Sequence, residues 1–179
     1  MATSTLLTID DFERLPGEVA ENHELVEGEL VDVSGNTPRH NKLRDRLVAL
    51  ILPWMTERGL GTIIAEQEFD FLGNAHGPDV GVLGPAKAAL LDLDRRVQRF
   101  VPDLAIEIAS ATDTYEGLLA KKERYLKSGV PEVWLVSLRT REFAVYGRHR
   151  NVTLRGADAI TTDLMPGFSV TVEELLQGL

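Results

Sequence analysis

Glu107 stands inside the apolar run Leu104-Ala105-Ile106-Glu107-Ile108-Ala109. Side chains in a strand alternate between faces, so Glu107 shares a face with Asp103, Ala105 and Ala109. An ionised carboxylate in that setting requires a cation, a metal or several hydrogen-bond donors. A buried salt bridge, or a strand end facing water, is the plain alternative. A second acid, Asp79, enters a short apolar strand in Gly77-Pro78-Asp79-Val80-Gly81-Val82-Leu83. Taken alone it reads as an ordinary turn aspartate. The third element is the pair Lys121-Lys122. Ala109 occupies the place two residues after Glu107, so the strand itself carries no lysine there. A helix packed over the strand would bring one back. The helical wheel sets Lys122 in the middle of the apolar stripe and Lys121 at its edge. Read naively the wheel favours Lys122, and a solvated pair with snorkelling stems is the plain reading.

Together, two carboxylates and a lysine outline a site for phosphodiester hydrolysis. Carboxylates on adjacent strands hold Mg²⁺ through oxygen ligands. The metal polarises a phosphoryl oxygen and lowers the pKa of a bound water. The lysine orients that water and stabilises developing negative charge. Other constellations are missing from the chain. It has no Walker-type phosphate loop and no dinucleotide fingerprint. It has no Gly-x-Ser-x-Gly elbow, and no second histidine follows His23-Glu24 at zinc-protease spacing. The four histidines, at 23, 40, 76 and 149, are scattered and read as surface or satisfied polar residues.

The elements that must position these groups follow from periodicity and punctuation. Thr8 caps a short helix with Asp11 in the capping-box position, and Pro16-Gly17 ends it. His23 to Ser34 reads as two strands around Glu27-Gly28-Glu29. A long helix runs from Arg39 to Arg58, with Leu43, Leu47, Leu50, Ile51 and Trp54 at helical spacing. Gly59 stops it, and Pro53 is expected to kink or shorten it. Thr62 to Leu72 reads as one strand, Gly73 to Gly77 as a turn, and Pro78 to Leu83 as the next strand. Pro102 to Ala109 is continuous enough in apolar residues to be a central strand. Asp113 to Ser128 is a helix stopped by Gly129. Strands at Glu132 to Ser137, Glu142 to Tyr146 and Asn151 to Arg155 follow, then a helix from Val172 to Leu176. The order strand, helix, strand over 103–137 predicts a crossover unit in a mixed sheet with helices on its faces.

The chain has 179 residues, enough for one domain with a sizeable core, and 1–179 reads as a single domain. It has no cysteine, which excludes disulfides, thiolate zinc sites and cysteine nucleophiles. No apolar run is long enough to span a bilayer. The N-terminus lacks a basic segment followed by an apolar stretch, so a cytoplasmic protein is the default expectation. The formal charge of −9 argues on its face against a nucleic-acid partner. Residues 1–33, however, hold nine acids and a single base, Arg14, which leaves the remainder nearly neutral. Local basic groups at 39–46, 95–99 and 139–150 remain available for phosphates.

At these residues the chain resembles the Uma-two family of endonucleases, within the PD-(D/E)XK, restriction-endonuclease-like superfamily. The resemblance rests on Glu24 to Leu30 ("ELxxGEL"), His40, Pro78-Asp79-Val80, Pro102 to Ser110, and Pro166-Gly167-Phe168. It also rests on Lys121, Tyr125, Gly129-Val130, Glu132 and Trp134 ("KxxxYxxxGVxEVW"). It implies an α/β fold: a restriction-endonuclease-like core, a mixed β-sheet flanked by helices, with an N-terminal helix and hairpin extension. It implies Asp79 and Glu107 as ligands of Mg²⁺, with Mn²⁺ as a substitute. Lys121, four residues before Tyr125, is selected over Lys122, and Glu24 assists. The implied partner is DNA, with Arg39, His40, Lys42 and Arg46 on its phosphates, and the implied assembly is a homodimer. The alternative is a non-catalytic protein of the same fold that binds nucleic acid or a protein partner. A third reading is a metal-dependent hydrolase of a smaller phosphate ester.

Overall fold

The structure is a computed structural model that describes residues 6–33, 36–110 and 113–179. The first helix, α1 (Ile9–Glu13), starts as expected. The Thr8 hydroxyl accepts from the Asp11 amide, and the Asp11 carboxylate accepts from the Thr8 amide at 3.0 Å. Pro16-Gly17 does more than end it: Pro16 precedes a second short helix, α2 (Gly17–Ala20). β1 (His23–Val26) and β2 (Glu29–Asp32) form an antiparallel hairpin. Glu27 and Gly28 both turn with positive φ, 53° and 82°, which suits the twist of a two-residue hairpin loop. The expected hairpin extended to Ser34, which lies outside the described residues.

α3 (Pro38–Glu57) is capped by the Thr37 side chain, with Pro38 in the first turn, where no amide hydrogen is needed. Leu43, Leu47, Ile51 and Met55 recur every four residues and are all buried. Each contributes about 1.5–3 kcal/mol by leaving water. The helix carries through Pro53. Pro53 brings no amide hydrogen to the Ala49 carbonyl one turn before it, and both residues are exposed. Gly59 follows the end with φ 62°.

The expected strand over 62–72 is two strands in two different sheets. β3 (Thr62–Ala65) and β4 (Glu68–Asp70) are separated by Glu66, whose φ of 54° breaks the extended run. The segment read as a turn contains β5 (Ala75–His76), paired with both β1 and β4. β6 (Val80–Leu83), α4 (Pro85–Ala88), β7 (Val97–Gln98) and β8 (Leu104–Ala109) follow. α5 (Tyr115–Lys127) crosses from β8 to β9 (Glu132–Ser137), and these two strands are parallel, as the crossover pattern predicted. β10 (Glu142–Gly147), β11 (Asn151–Arg155), β12 (Ala159–Ile160), β13 (Val170–Thr171) and α6 (Val172–Leu175) complete the chain.

The main sheet has the order β11-β10-β9-β8-β6-β3, mixed by its single parallel pair. The second has the order β2-β1-β5-β4-β7. One face of β8 and β6 packs Ile106 and Val82 under α3. The other face packs Ala105 with Phe69 and Phe71 of the second sheet region and Tyr125 of α5. Glu107 therefore points, by strand alternation, to the α5 side. This is a mixed α/β fold with helices flanking the sheet, preceded by a helix-and-hairpin extension.

Candidate active site

β6 and β8 run antiparallel with Val80 opposite Ile106, which sets Asp79 beside Glu107 at the same level of the sheet. Both carboxylates are nearly buried, 8% and 6% exposed. Asp79 Oδ2 accepts from the Ile108 amide at 2.7 Å. Its Oδ1 lies 3.2 Å from His40 Nε2, which also lies 3.1 Å from the Ile108 carbonyl. Both neighbours are acceptors, so Nε2 carries the proton. Burial works against a charged His40, but the Asp79 carboxylate and the Ile108 carbonyl outweigh it and hold its pKa above the usual value.

α5 delivers the remaining groups from one turn. Lys121 and Tyr125 are four residues apart and share a helix face. Lys121 Nζ lies 3.1 Å from Glu107 Oε1 and 3.1 Å from Glu24 Oε1. The Tyr125 hydroxyl donates to Glu107 Oε1 at 2.6 Å. Burial pushes Glu107 up. Lys121 opposes this, but the nearby charges of Asp79 and Glu24 add to it, and the carboxyl titrates at about 7. Glu24 behaves in the opposite way. Burial pushes it up, but the His76 hydrogen bond and the Lys121 charge prevail and hold it down to about 2. Burial also opposes the Lys121 charge, yet two carboxylates raise its pKa above the ordinary lysine value.

Lys122, the neighbour that the wheel put mid-stripe, is buried away from these acids. Its Nζ pairs with Glu123 at 2.5 Å and sits 4.6 Å from the Tyr146 ring centre.

The four expected phosphate contacts divide. Arg39 and Lys42 are exposed on the first turns of α3. His40 is nearly buried against Asp79 and lines the cleft beside it. Arg46 donates to the carbonyls of Leu175 and Gln177 and ties α3 to the C-terminal segment. Three site residues received no role of their own in the sequence reading. His76 lies on a two-residue strand too short to show periodicity. Arg124 is one charge among several on α5. Tyr125 entered only as a position of the KxxxY motif.

Glu24, His40, Asp79, Glu107 and Lys121 line a cleft of about 820 Å³. Among the described residues, its wall carries seven carboxylates and three basic side chains. Arg44 pairs with Glu66, Arg96 with Glu68 at 2.6 Å, and Lys121 with Glu24 and Glu107. Among the described residues no group of three or more His, Asp or Glu side chains gathers as a metal cage. Asp79 and Glu107 are neighbouring carboxylates, set side by side by the register of β6 and β8. That set suits Mg²⁺, which keeps several waters and takes one or two carboxylates plus substrate phosphate. The like-charge repulsion felt by Glu107 is what a divalent cation would relieve.

Comparison with known proteins adds three findings. A family model, Uma2, described as "Putative restriction endonuclease", matches residues 9–173. No curated protein matches the chain. A solved structure, described as "a putative nuclease belonging to DUF820" from Anabaena variabilis ATCC 29413, superposes with a TM-score of 0.83. The overlap covers 95% of this chain and 97% of that one at 19% identity, a likeness of fold. Among the described residues, no helix is long and apolar enough to cross a membrane.

Proposed function

We propose that the chain, which belongs to the Uma2 family, is an endonuclease that hydrolyses phosphodiester bonds in DNA with the help of Mg²⁺ or Mn²⁺. The observation that carries this reading is that Asp79, just before β6, Glu107 of β8 and Lys121 of the crossover helix line one cleft. Asp79 and Glu107 would hold the cation. Bound there, it supplies an acidified water and neutralises charge on the scissile phosphate.

The chain's own groups do the rest. Lys121 sits where an ammonium can orient the attacking water and offset charge that develops on the phosphate. Tyr125 anchors Glu107 through Oε1. Glu24 holds Lys121 from the opposite side, so the ammonium is shared between two carboxylates. His40 and the Ile108 amide fix both oxygens of Asp79. Arg39 and Lys42 are the exposed cations on α3 for flanking phosphates, and the active form is a homodimer suited to two-strand cleavage.

One observation favours a second reading. The cleft wall is acidic, and its three basic side chains are each paired with a carboxylate. A smaller phosphate ester would meet less repulsion there than a polynucleotide. A substrate panel separates the two. Supercoiled plasmid, linear duplex, single-stranded oligonucleotide and bis(p-nitrophenyl) phosphate are incubated with Mg²⁺ or Mn²⁺. DNA cleavage that is lost in EDTA and in Lys121→Met supports the nuclease. Turnover of the small ester alone supports the second reading, and no turnover of any substrate contradicts both.

A further inference from the structure

His76 lies outside the three-residue site, yet it is almost fully enclosed beside it, 2% exposed. Its Nδ1 lies 2.8 Å from Glu24 Oε2, and its Nε2 lies 3.0 Å from Arg124 Nη1. A carboxylate only accepts and a guanidinium only donates, so the two partners dictate the tautomer: Nδ1 carries the proton and Nε2 receives Arg124. The ring packs against the stacked pair of Phe71 and Tyr125, with centroids 5.9 and 5.8 Å away. Arg124 reaches on to Glu27 at the hairpin turn. Glu24 is thereby held at both ends. His76 takes Oε2, while the Gly77 amide and Lys121 share Oε1.

We propose that His76, locked by Arg124, is a positioning residue that fixes Glu24 so that Lys121 stays divided between Glu24 and Glu107. This inference rests on the nuclease reading for its purpose, though not for its geometry. Without the Nδ1–H donor, Glu24 keeps a poorly solvated oxygen without a partner and turns from Lys121. The ammonium then settles on Glu107 alone. A lysine given wholly to Glu107 neutralises the carboxylate that would hold the cation and leaves the position from which it would meet the phosphate. Arg124 and Lys121 lie on the same turn of α5, so one helix both sets the lysine and locks its support.

The test uses the full chain and two variants. In His76→Leu both hydrogen bonds are lost. In His76→Asn the side-chain amide keeps a donor near the Nδ1 position. Two readouts are taken: acetylation of individual lysines by acetic anhydride, read by peptide mass spectrometry, and Mn²⁺ affinity by calorimetry. In His76→Leu, Lys121 acetylation rises about tenfold, as expected for loss of one charge-assisted hydrogen bond. Exposed Lys42 stays unchanged. Mn²⁺ binding weakens about ten- to hundredfold, as for loss of a supporting contact. His76→Asn restores both to near the wild-type level. The proposal is overturned if Lys121 acetylation is unchanged in His76→Leu, if every lysine rises together, or if His76→Asn is as impaired as His76→Leu. Wild-type protein that binds no Mn²⁺ contradicts the metal reading instead, and the acetylation readout still decides the role of His76.

Discussion

Lys121 Nζ lies 3.1 Å from Glu107 Oε1, although 14 positions separate the residues and a strand and a helix carry them. The contact exists because β8 and β9 are parallel. A parallel pair needs a crossover, and the crossover helix passes back over the strand that precedes it. The lysine that the strand lacks is supplied by the helix above it.

That contact predicts a large effect of removing the ammonium. Lys121→Met should lower cleavage by at least about 10²-fold, the scale of losing one donor to developing charge. Asp79→Asn should do the same through the cation. Both variants should keep the wild-type circular dichroism spectrum. Cleavage within threefold of wild type in either variant would remove that residue from the chemistry.

The stability of the metal-free protein should fall as pH rises through neutrality. Glu107 titrates at about 7 in the fold, against an ordinary value of 4.5, so the folded state binds the proton more tightly than the unfolded one. Its ionisation therefore costs stability between about pH 4.5 and 7, by roughly 3 kcal/mol at most. His40 is also raised, and its contribution is present below 6.5 and lost above its folded pKa. Tm should be lower at pH 8 than at pH 6, and Glu107→Gln should flatten that slope. A Tm that climbs from pH 6 to 8 in the wild type would contradict the assignment.

Glu24 should act in the opposite direction at acid pH. Its folded pKa of about 2 lies below the ordinary 4.5, so its contribution is present above 4.5 and lost as pH falls towards 2. Urea unfolding at pH 7 should show Glu24→Gln less stable by up to about 3 kcal/mol. The difference should shrink at pH 3.

DNA affinity should show a shallow dependence on salt. The basic side chains of the cleft wall are already paired, which leaves Arg39 and Lys42 on α3 as the expected phosphate contacts. Two neutralised phosphates give a slope of about −2 in log K against log salt. The Arg39→Gln, Lys42→Gln double variant should bring the slope close to zero. A wild-type slope several times steeper would place other cations on the DNA.

Much of the framework is legible in the sequence because its signals are local. The Thr8 capping box, the positive-φ glycines at 28, 59 and 129, and the four-residue spacing along α3 each act over one turn. Asp79 and Glu107 stand out as acids in apolar strands, and the lysine is legible as a pair. What hides is non-local. His76 sits on a strand of two residues, held only by pairing with β1 and β4, so no period announces it. Glu66 breaks the run at 62–72 through a left-handed turn that a glutamate seldom adopts. His40 lies in a basic stretch, and only the fold shows that it faces Asp79 rather than solvent.

The central claim is that Asp79 and Glu107 together hold a divalent cation. Calorimetric titration of Mn²⁺ into the wild type and into the Asp79→Ala, Glu107→Ala double variant tests it directly, with a short non-cleavable phosphorothioate oligonucleotide present to complete the ligand set. The account predicts saturable binding in the wild type and none in the double variant. Equal binding in both, or none in the wild type, would contradict it.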